Sequence, residues 1–436
     1  MNEFCECETD GFCKKYNRQM IGRLRDICQG TAVDAGTAAQ YRALWAVQAS
    51  DQPTKNGAAK INECPYRGEA VKDAGGDTVK RECGACGGAK RQVFHCNHPS
   101  REPDEITLAD CVTCDYRPRD TSKARKLILR NGLCPGDVLV MSGAIHSLHR
   151  ACPGQFVTAV ETSCNAIYEH NPDVAELFPL MDEPQSMGRA KEKGYEYIQT
   201  HYPAVQQSNQ RGIHFLQAYC EFLENCLGVK IPLLTNRPMI YVSKREKGWI
   251  NQVHEKTGKN RPFWLINAGY KNDYSAKWYP WYQQIVDQLQ GKILFAQIGK
   301  NEPNHIHAPL KGTVNLIGET DDRQLIRLVY HSAGVVSGLT YLMHLAAAFR
   351  KPSVVIAGGR EPKQWNQYPT QHLVSTVGML PCAREQACWR SRVVPLNDGK
   401  DETLCENPVL TEPSSPKCMA MIKPEEISEK ILQYQT

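Results

Sequence analysis

From residue 125 onward, short apolar runs alternate with longer stretches of mixed polarity. The run Lys126-Leu-Ile-Leu-Arg130 has no in-out alternation, so it reads as a strand covered on both faces. A Pro135-Gly136 turn and a helix over about 138–151 follow it. Gln155–Val160 predicts a second strand, 163–170 a helix and 175–180 a short strand. The stretch 205–228 is amphipathic and stops at Gly228, as a helix with a glycine C-terminus does. A second series begins at Arg261-Pro-Phe-Trp-Leu-Ile-Asn267. It predicts strands at 261–267, 292–298, 314–317, 334–336 and 353–357, with helices at 279–290, 321–332 and 340–349. The uncharged stretch Ser332–Phe349 is 18 residues long, and it reads as a buried strand entering a buried helix rather than a membrane span. Strands and helices in alternation, with short connections, mean parallel sheets. The expected architecture is α/β, with two Rossmann-like halves and a cleft at the carboxyl ends of the strands.

Composition changes this picture mainly before residue 125. The chain has 436 residues and a net charge of +5, and residues 1–126 carry 20 Lys/Arg against 18 Asp/Glu. That balance lacks the concentrated basic footprint of a nucleic-acid binder. The opening Met-Asn-Glu-Phe-Cys-Glu-Cys-Glu-Thr-Asp is acidic and polar, unlike a secretory signal, and the expectation is a soluble, cytoplasmic protein with no transmembrane segment. Polar, Gly-rich or Pro-containing stretches near 47–62 and 117–124 read as linkers. The expected domains are a Cys-rich module over 1–50, a zinc-ribbon-like module over 51–120 and a Rossmann-like domain over 121–237. A second Rossmann-like domain over 238–375 and a Cys-rich tail with a terminal helix over 376–436 complete the chain.

Cysteine is the outlier, with 19 residues in clusters. Local clusters without a signal peptide favour metal over disulfides. Cys83-Gly-Ala-Cys86 and Cys111-Val-Thr-Cys114 each set two thiolates on one tight turn. Joined through a strand at Gln92–Cys96, they suit a tetrahedral structural zinc. Cys64 and Cys96 either complete a second site or pack in the core. Cys5, Cys7, Cys13 and Cys28 supply ligands for one further metal. Cys382, Cys388, Cys405 and Cys418 form a third cluster, with irregular gaps of 5, 16 and 12 residues. Four thiolates leave no open coordination position, so any such metal is structural.

One acid stands out. Asp137 is the sole carboxylate between Asp120 and Glu161, at the mouth of the first helix. It reads either as a helix cap or as a catalytic group. Asp321-Asp322 sits where a helix starts, and capping explains it better than cation binding. His305 and His307 form a His-x-His pair with few acids nearby, and they read as part of a loop rather than a metal site.

Ile266-Asn-Ala-Gly-Tyr-Lys271, Ser275-Ala-Lys-Trp-Tyr-Pro280, Gly318-Glu-Thr-Asp-Asp-Arg-Gln-Leu325 and Tyr341-Leu-Met-His-Leu-Ala-Ala-Ala348 occur in this order. Followed by Lys351–Gly359, and with Gly136-Asp137 after the first strand, they make residues 125–436 resemble glycosyltransferase family 9, the ADP-heptose:lipopolysaccharide heptosyltransferases. The resemblance implies a GT-B fold and an inverting, metal-independent transfer from a nucleotide-diphosphate sugar to an acceptor hydroxyl. It gives Asp137 the role of catalytic base and Lys277 that of meeting the donor phosphates, with Lys271 assisting. Thr340, Met343 and His344 would line the diphosphate turn, and Glu319 would meet ribose hydroxyls. Where the family has Asp-Ser/Thr-Gly-Pro-Met-His, this chain reads Leu339-Thr-Tyr-Leu-Met-His344, which leaves heptose and other sugars open. Related autotransporter heptosyltransferases carry a four-cysteine iron finger, so iron stands beside zinc for the tail cluster. The acceptor is open among glycan, protein and modified nucleic acid. Two competing classes are a non-catalytic GT-B-like protein whose zinc modules bind nucleic acid or protein, and a GT-B sugar epimerase.

Overall fold

A computed structural model describes residues 8–9, 12–13, 18–19, 67–72, 80–82, 90–96, 105–107, 114, 120–200, 211–271, 277–300, 302–303, 305–384, 387–388, 405, 408–411 and 414–434. The chain divides into two compact units, Met1–Ser122 and Lys123–Thr436. In the first, β1 (Glu8–Thr9), β2 (Phe12–Cys13) and β3 (Arg18–Gln19) form a small antiparallel sheet. A second antiparallel sheet is built on β6 (Lys90–Cys96), which pairs with β4 (Arg67–Ala70), β5 (Lys80–Glu82) and β7 (Glu105–Thr107). The strand expected at 92–96 is thus present and two residues longer. Cys83 and Cys86 fall in the β5–β6 connection, outside the described residues, as do Cys5, Cys7, Cys28, Cys64 and Cys111. Cys13 lies on the backbone of β2, Cys96 is buried at the end of β6 and Cys114 is half-buried.

The second unit holds two fully parallel sheets. The first contains β8 (Arg125–Asn131), β9 (Phe156–Thr162), β10 (Glu176–Pro179) and β11 (Glu196–Gln199), in the order β10-β9-β8-β11. Leu127, Ile128 and Leu129 are all fully buried, so successive side chains on both faces are covered, as the continuous apolar run required. Its helices are α1 (Pro135–Ala151), α2 (Glu183–Lys193) and α3 (Phe215–Leu227). Where a helix was expected over 163–170, only a 3₁₀ turn, Asn165–Tyr168, forms, because the segment turns between two adjacent parallel strands. The expected 205–228 helix begins at Phe215 behind His214, with 201–210 outside the described residues.

After α4 (Lys244–Lys247) and α5 (Gln252–Thr257), the second sheet contains six strands. β12 (Trp264–Asn267) is followed by the short β13 (Tyr270–Lys271), which stands outside the sheet, and then by α6 (Tyr282–Gln288) and β14 (Phe295–Gly299). The short β15 (His305–Ile306) pairs with β13. β16 (Val314–Ile317), α7 (Asp322–His331), β17 (Gly334–Gly338), α8 (Tyr341–Ala348) and β18 (Ser353–Gly358) come next. Then follow α9 (Lys363–Asn366), β19 (Gln371–Ser375), the β20–β21 pair (Pro408–Thr411, Ser414–Pro416), α10 (Lys417–Ala420) and α11 (Pro424–Leu432). The sheet order is β16-β14-β12-β17-β18-β19, a doubly wound arrangement that reverses between β12 and β17.

The two sheets share one apolar core, which runs from Leu127 and Leu129 through Val138–Leu148 to Val335, Leu345 and Val355. Helix α1 packs directly on α8. Arg323, at the start of α7, adds a polar tie: it donates to both Glu246 oxygens (2.5 and 2.8 Å), to the Tyr241 carbonyl (2.7 Å) and to the Ala166 carbonyl (3.0 Å). Among the described residues, no helix is long and apolar enough to cross a membrane.

Candidate active site

Two switch points face one another. In the first sheet the order reverses between β8 and β11, and the chain leaves β8 through Asn131, whose side chain accepts from the Leu133 N–H (3.1 Å). Pro135 then opens α1, where its missing N–H costs nothing. Cys134 is the N-cap residue and makes no side-chain cap bond; Asp137 stands in the first helical turn, where its carboxylate accepts from its own backbone N–H. A Cβ on Gly136 would approach His344 Cδ2 to 3.3 Å and the Tyr341 backbone to 3.7 Å, so glycine lets α1 meet the start of α8.

Burial pushes the Asp137 carboxyl up to about 7; nearby Lys277 opposes the rise and Glu361 adds to it. Lys277 follows β12, and its carbonyl lies 3.4 Å from where a Cβ on Gly338 would stand, at the end of β17. The Lys277 ammonium pairs with Glu361, a buried carboxylate just beyond β18 that also accepts from Asn366 Nδ2 on α9. Thr340 is the N-cap residue of α8 but caps nothing, and its buried hydroxyl has no hydrogen-bond partner. His344 shares a 2.8 Å hydrogen bond between Nδ1 and the Tyr368 hydroxyl. Burial holds its imidazole down at about 3, with His214 and Lys277 lowering it further, so it is neutral at pH 7.

Asp137, Lys277, Thr340 and His344 are thus brought to one locus, and the remaining expected residues are not. Met343 is fully buried in the shared core. Glu319 is exposed beyond β16, at the sheet edge, and pairs with Lys256 of α5 (2.6 Å). Lys271 lies on β13, opposite His305. His307 packs against Gly269 and Gly299, where any Cβ would overlap its ring, and burial lowers its pKa to about 4.

Sequence reasoning passed over Glu361, Asn366, Tyr368, Tyr219 and His214. The available signal was Arg360-Glu361 directly after the predicted 353–357 strand, where charge at a strand's carboxyl end marks a site.

The turn before Glu361 is held by the tail cysteines. A Cβ on Gly359 would meet Ala383 Cβ at 2.7 Å and Cys418 Cβ at 3.3 Å. Cys388 donates its backbone N–H to the Gly359 carbonyl (2.9 Å), and Arg360 reaches the Cys388 sulfur at 3.9 Å. Burial pushes the Cys418 thiol up to about 11; a Gly359 backbone bond opposes this, and neighbouring Cys405, Cys382 and Cys388 reinforce it. Four thiols around one turn suit zinc or iron chemically. Their sulfurs are not drawn together as a ligand set; among the described residues, the one group with all ligand atoms within 4.8 Å is Glu169, His170 and Glu246. There the Arg323 guanidinium already engages both Glu246 oxygens, the position a cation would need.

Residues 174–390 match the model of glycosyltransferase family 9 (heptosyltransferase). The fold is similar to that of a family 9 glycosyl transferase from Veillonella parvula (11% identity, 71% of this chain and 97% of that one, TM-score 0.52). It is similar also to the iron-containing dodecameric glycosyltransferase TibC from enterotoxigenic E. coli (15% identity, 79% and 82%, TM-score 0.50). The ADP-heptose LPS heptosyltransferase II of E. coli aligns at 17% identity over 71% of this chain and 98% of that one, with a TM-score of 0.49. No curated protein sequence matches the chain. The family match takes in the whole second sheet together with β10 and β11 of the first, so within this two-sheet GT-B architecture the chain carries a glycosyltransferase family 9 domain and is an enzyme that transfers sugar from a nucleotide sugar.

Proposed function

We propose that the chain performs an inverting, metal-independent transfer in which Asp137 is the base and Lys277 bears the charge of the departing diphosphate. The carrying observation is that the start of α1, which bears Asp137, meets the start of α8, and that Lys277 lies close enough to hold down the pKa of Asp137. Asp137 takes the proton of the acceptor hydroxyl as that oxygen bonds to the anomeric carbon. The bond from that carbon to the phosphate oxygen breaks, and its electron pair leaves with the nucleoside diphosphate. A base with a pKa near the working pH is well matched to this step. The open N-terminus of α8, with the free Thr340 hydroxyl and neutral His344, offers donors to the diphosphate. Lys271 and Glu319, which lie outside this locus, take no part in the step in this reading. The family's name makes a heptose nucleotide the first donor to test.

The test is nucleoside diphosphate release from a panel of nucleotide sugars, with and without EDTA, by wild type and Asp137→Asn. Release that survives EDTA and vanishes in the variant supports the proposal. Release without any acceptor, accompanied by donor isomerisation, would favour an epimerase. Lys277→Met is expected to weaken ADP binding roughly 10- to 100-fold by calorimetry, the worth of one charge-assisted contact.

We also propose structural metals in the cysteine clusters, in a cytoplasmic setting where thiols stay reduced. The β5–β6 hairpin brackets Cys83 and Cys86, and β7 precedes Cys111 and Cys114, an order suited to a zinc ribbon. Cys418→Ser is expected to lose the tail's zinc or iron while the N-terminal zinc stays, measured by elemental analysis. Fewer than one metal per wild-type chain removes this reading.

A further inference from the structure

Lys277 does not stand alone in the cleft. Its partner Glu361 is only 3% exposed, an unusual place for a carboxylate without a purpose. One Glu361 oxygen faces the Lys277 ammonium and the other accepts from Asn366. The turn that carries it is fixed by close packing of Gly358 and Gly359 against Met419 and Cys418. The groups around Asp137 are Lys277 after β12, Glu361 after β18, Tyr219 on α3, Tyr368 before β19 and, through Gly136, His344 on α8. Lys277 is the positive charge among them, and Glu361 is the charge that offsets it.

We infer that Glu361 is a positioning residue for the transfer: its buried carboxylate pairs with Lys277 beside Asp137 and keeps the lysine's charge from quenching the basicity of Asp137. The inference rests on the roles proposed for Asp137 and Lys277. An unpaired ammonium beside Asp137 stabilises the carboxylate and makes it a weaker base. An incoming diphosphate replaces Glu361 as the partner of Lys277, so the negative charge near Asp137 is kept through the reaction.

The test combines two Glu361 variants with a titration that needs no substrate. Asp137 is followed by carbon NMR of protein labelled in the aspartate carboxyls, its signal identified by its absence from Asp137→Asn. In Glu361→Gln the midpoint is expected to fall by about one pH unit or more. The kcat at pH 8 falls about tenfold, with ADP affinity unchanged or tighter, because phosphate no longer competes with a carboxylate. Glu361→Asp restores part of both the midpoint and the rate. Lys277→Met moves the midpoint upward, which checks the same electrostatics if Glu361→Gln folds poorly. An unmoved midpoint in Glu361→Gln, or ADP binding lost in step with kcat, overturns the inference. Full transfer by Asp137→Asn would instead remove the assignment of the base, while the titration still reports whether Glu361 governs that carboxyl.

Discussion

Asp137→Asn is expected to cut sugar transfer by about 10³-fold while making the protein more stable at pH 8. The rate loss follows from removing the base. The stability gain follows from the cost of burying it. In the folded protein the carboxyl is raised from 3.8 to about 7, chiefly by desolvation. Between those values the folded state holds a proton that the unfolded chain has released, so stability falls as pH rises through this window. The penalty at pH 8 is on the order of 4 kcal/mol. Asparagine carries no ionisation penalty. Its advantage over the wild type is absent below about pH 4, opens between 4 and 7 and is complete above that. Urea denaturation of both proteins at pH 4 and pH 8 measures the difference; equal gaps at the two pH values would refute the account. The same carboxyl sets the wild-type rate profile, in which kcat/KM rises about tenfold per unit below a midpoint near 7 and then levels.

Arg323→Leu is expected to destabilise the protein by about 3–5 kcal/mol, the usual result of stranding a buried charge. Arg323 is 8% exposed, and its guanidinium holds Glu246, the Tyr241 carbonyl and the Ala166 carbonyl. Burial works to raise the Glu246 pKa, yet the Arg323 bonds and the Ser243 cap hold it down at about 2. A depressed carboxyl contributes stability above its unfolded pKa of about 4.5 that is lost as pH falls through about 2. In Arg323→Leu most of this contribution goes, and Glu246 becomes a buried acid left with its Ser243 bonds and the more distant His170 (3.6 Å) and Arg327 (4.0 Å). The double variant Arg323→Leu/Glu246→Leu is therefore expected to be more stable than Arg323→Leu alone, because replacing both charges leaves none stranded. Denaturant melts of the single and double variants at pH 7 decide it. If the double variant is no better, the tie works through packing of the arginine stem instead.

The sequence reading was most complete where neighbours along the chain carry the information. Leu127–Leu129 and Ser353–Ala357 announce covered parallel strands because every residue in them is apolar or small. The first sheet and its helices were read less fully. Helix α2, Glu183-Pro-Gln-Ser-Met-Gly-Arg-Ala-Lys-Glu-Lys193, buries only Ser186 and Ala190, so it has almost no apolar stripe to detect. The half-exposed β11 and the last strand of the second sheet, β19, were likewise missed. Both are sheet-edge strands, recognised by the strand they pair with rather than by their own composition.

The site divides in the same way. By itself the sequence determined the α/β class, the lone acid at the mouth of the first helix and the resemblance that singled out Lys277, because periodicity, composition and motif order are properties of the chain read in line. Only the tertiary structure decided that Cys134 rather than Asp137 is the N-cap residue, that Glu319 stands at the sheet edge, and that Glu361 is the partner of Lys277. Those facts depend on burial and on charge-to-charge distance across the fold, and Coulomb energy follows separation in space, not along the backbone.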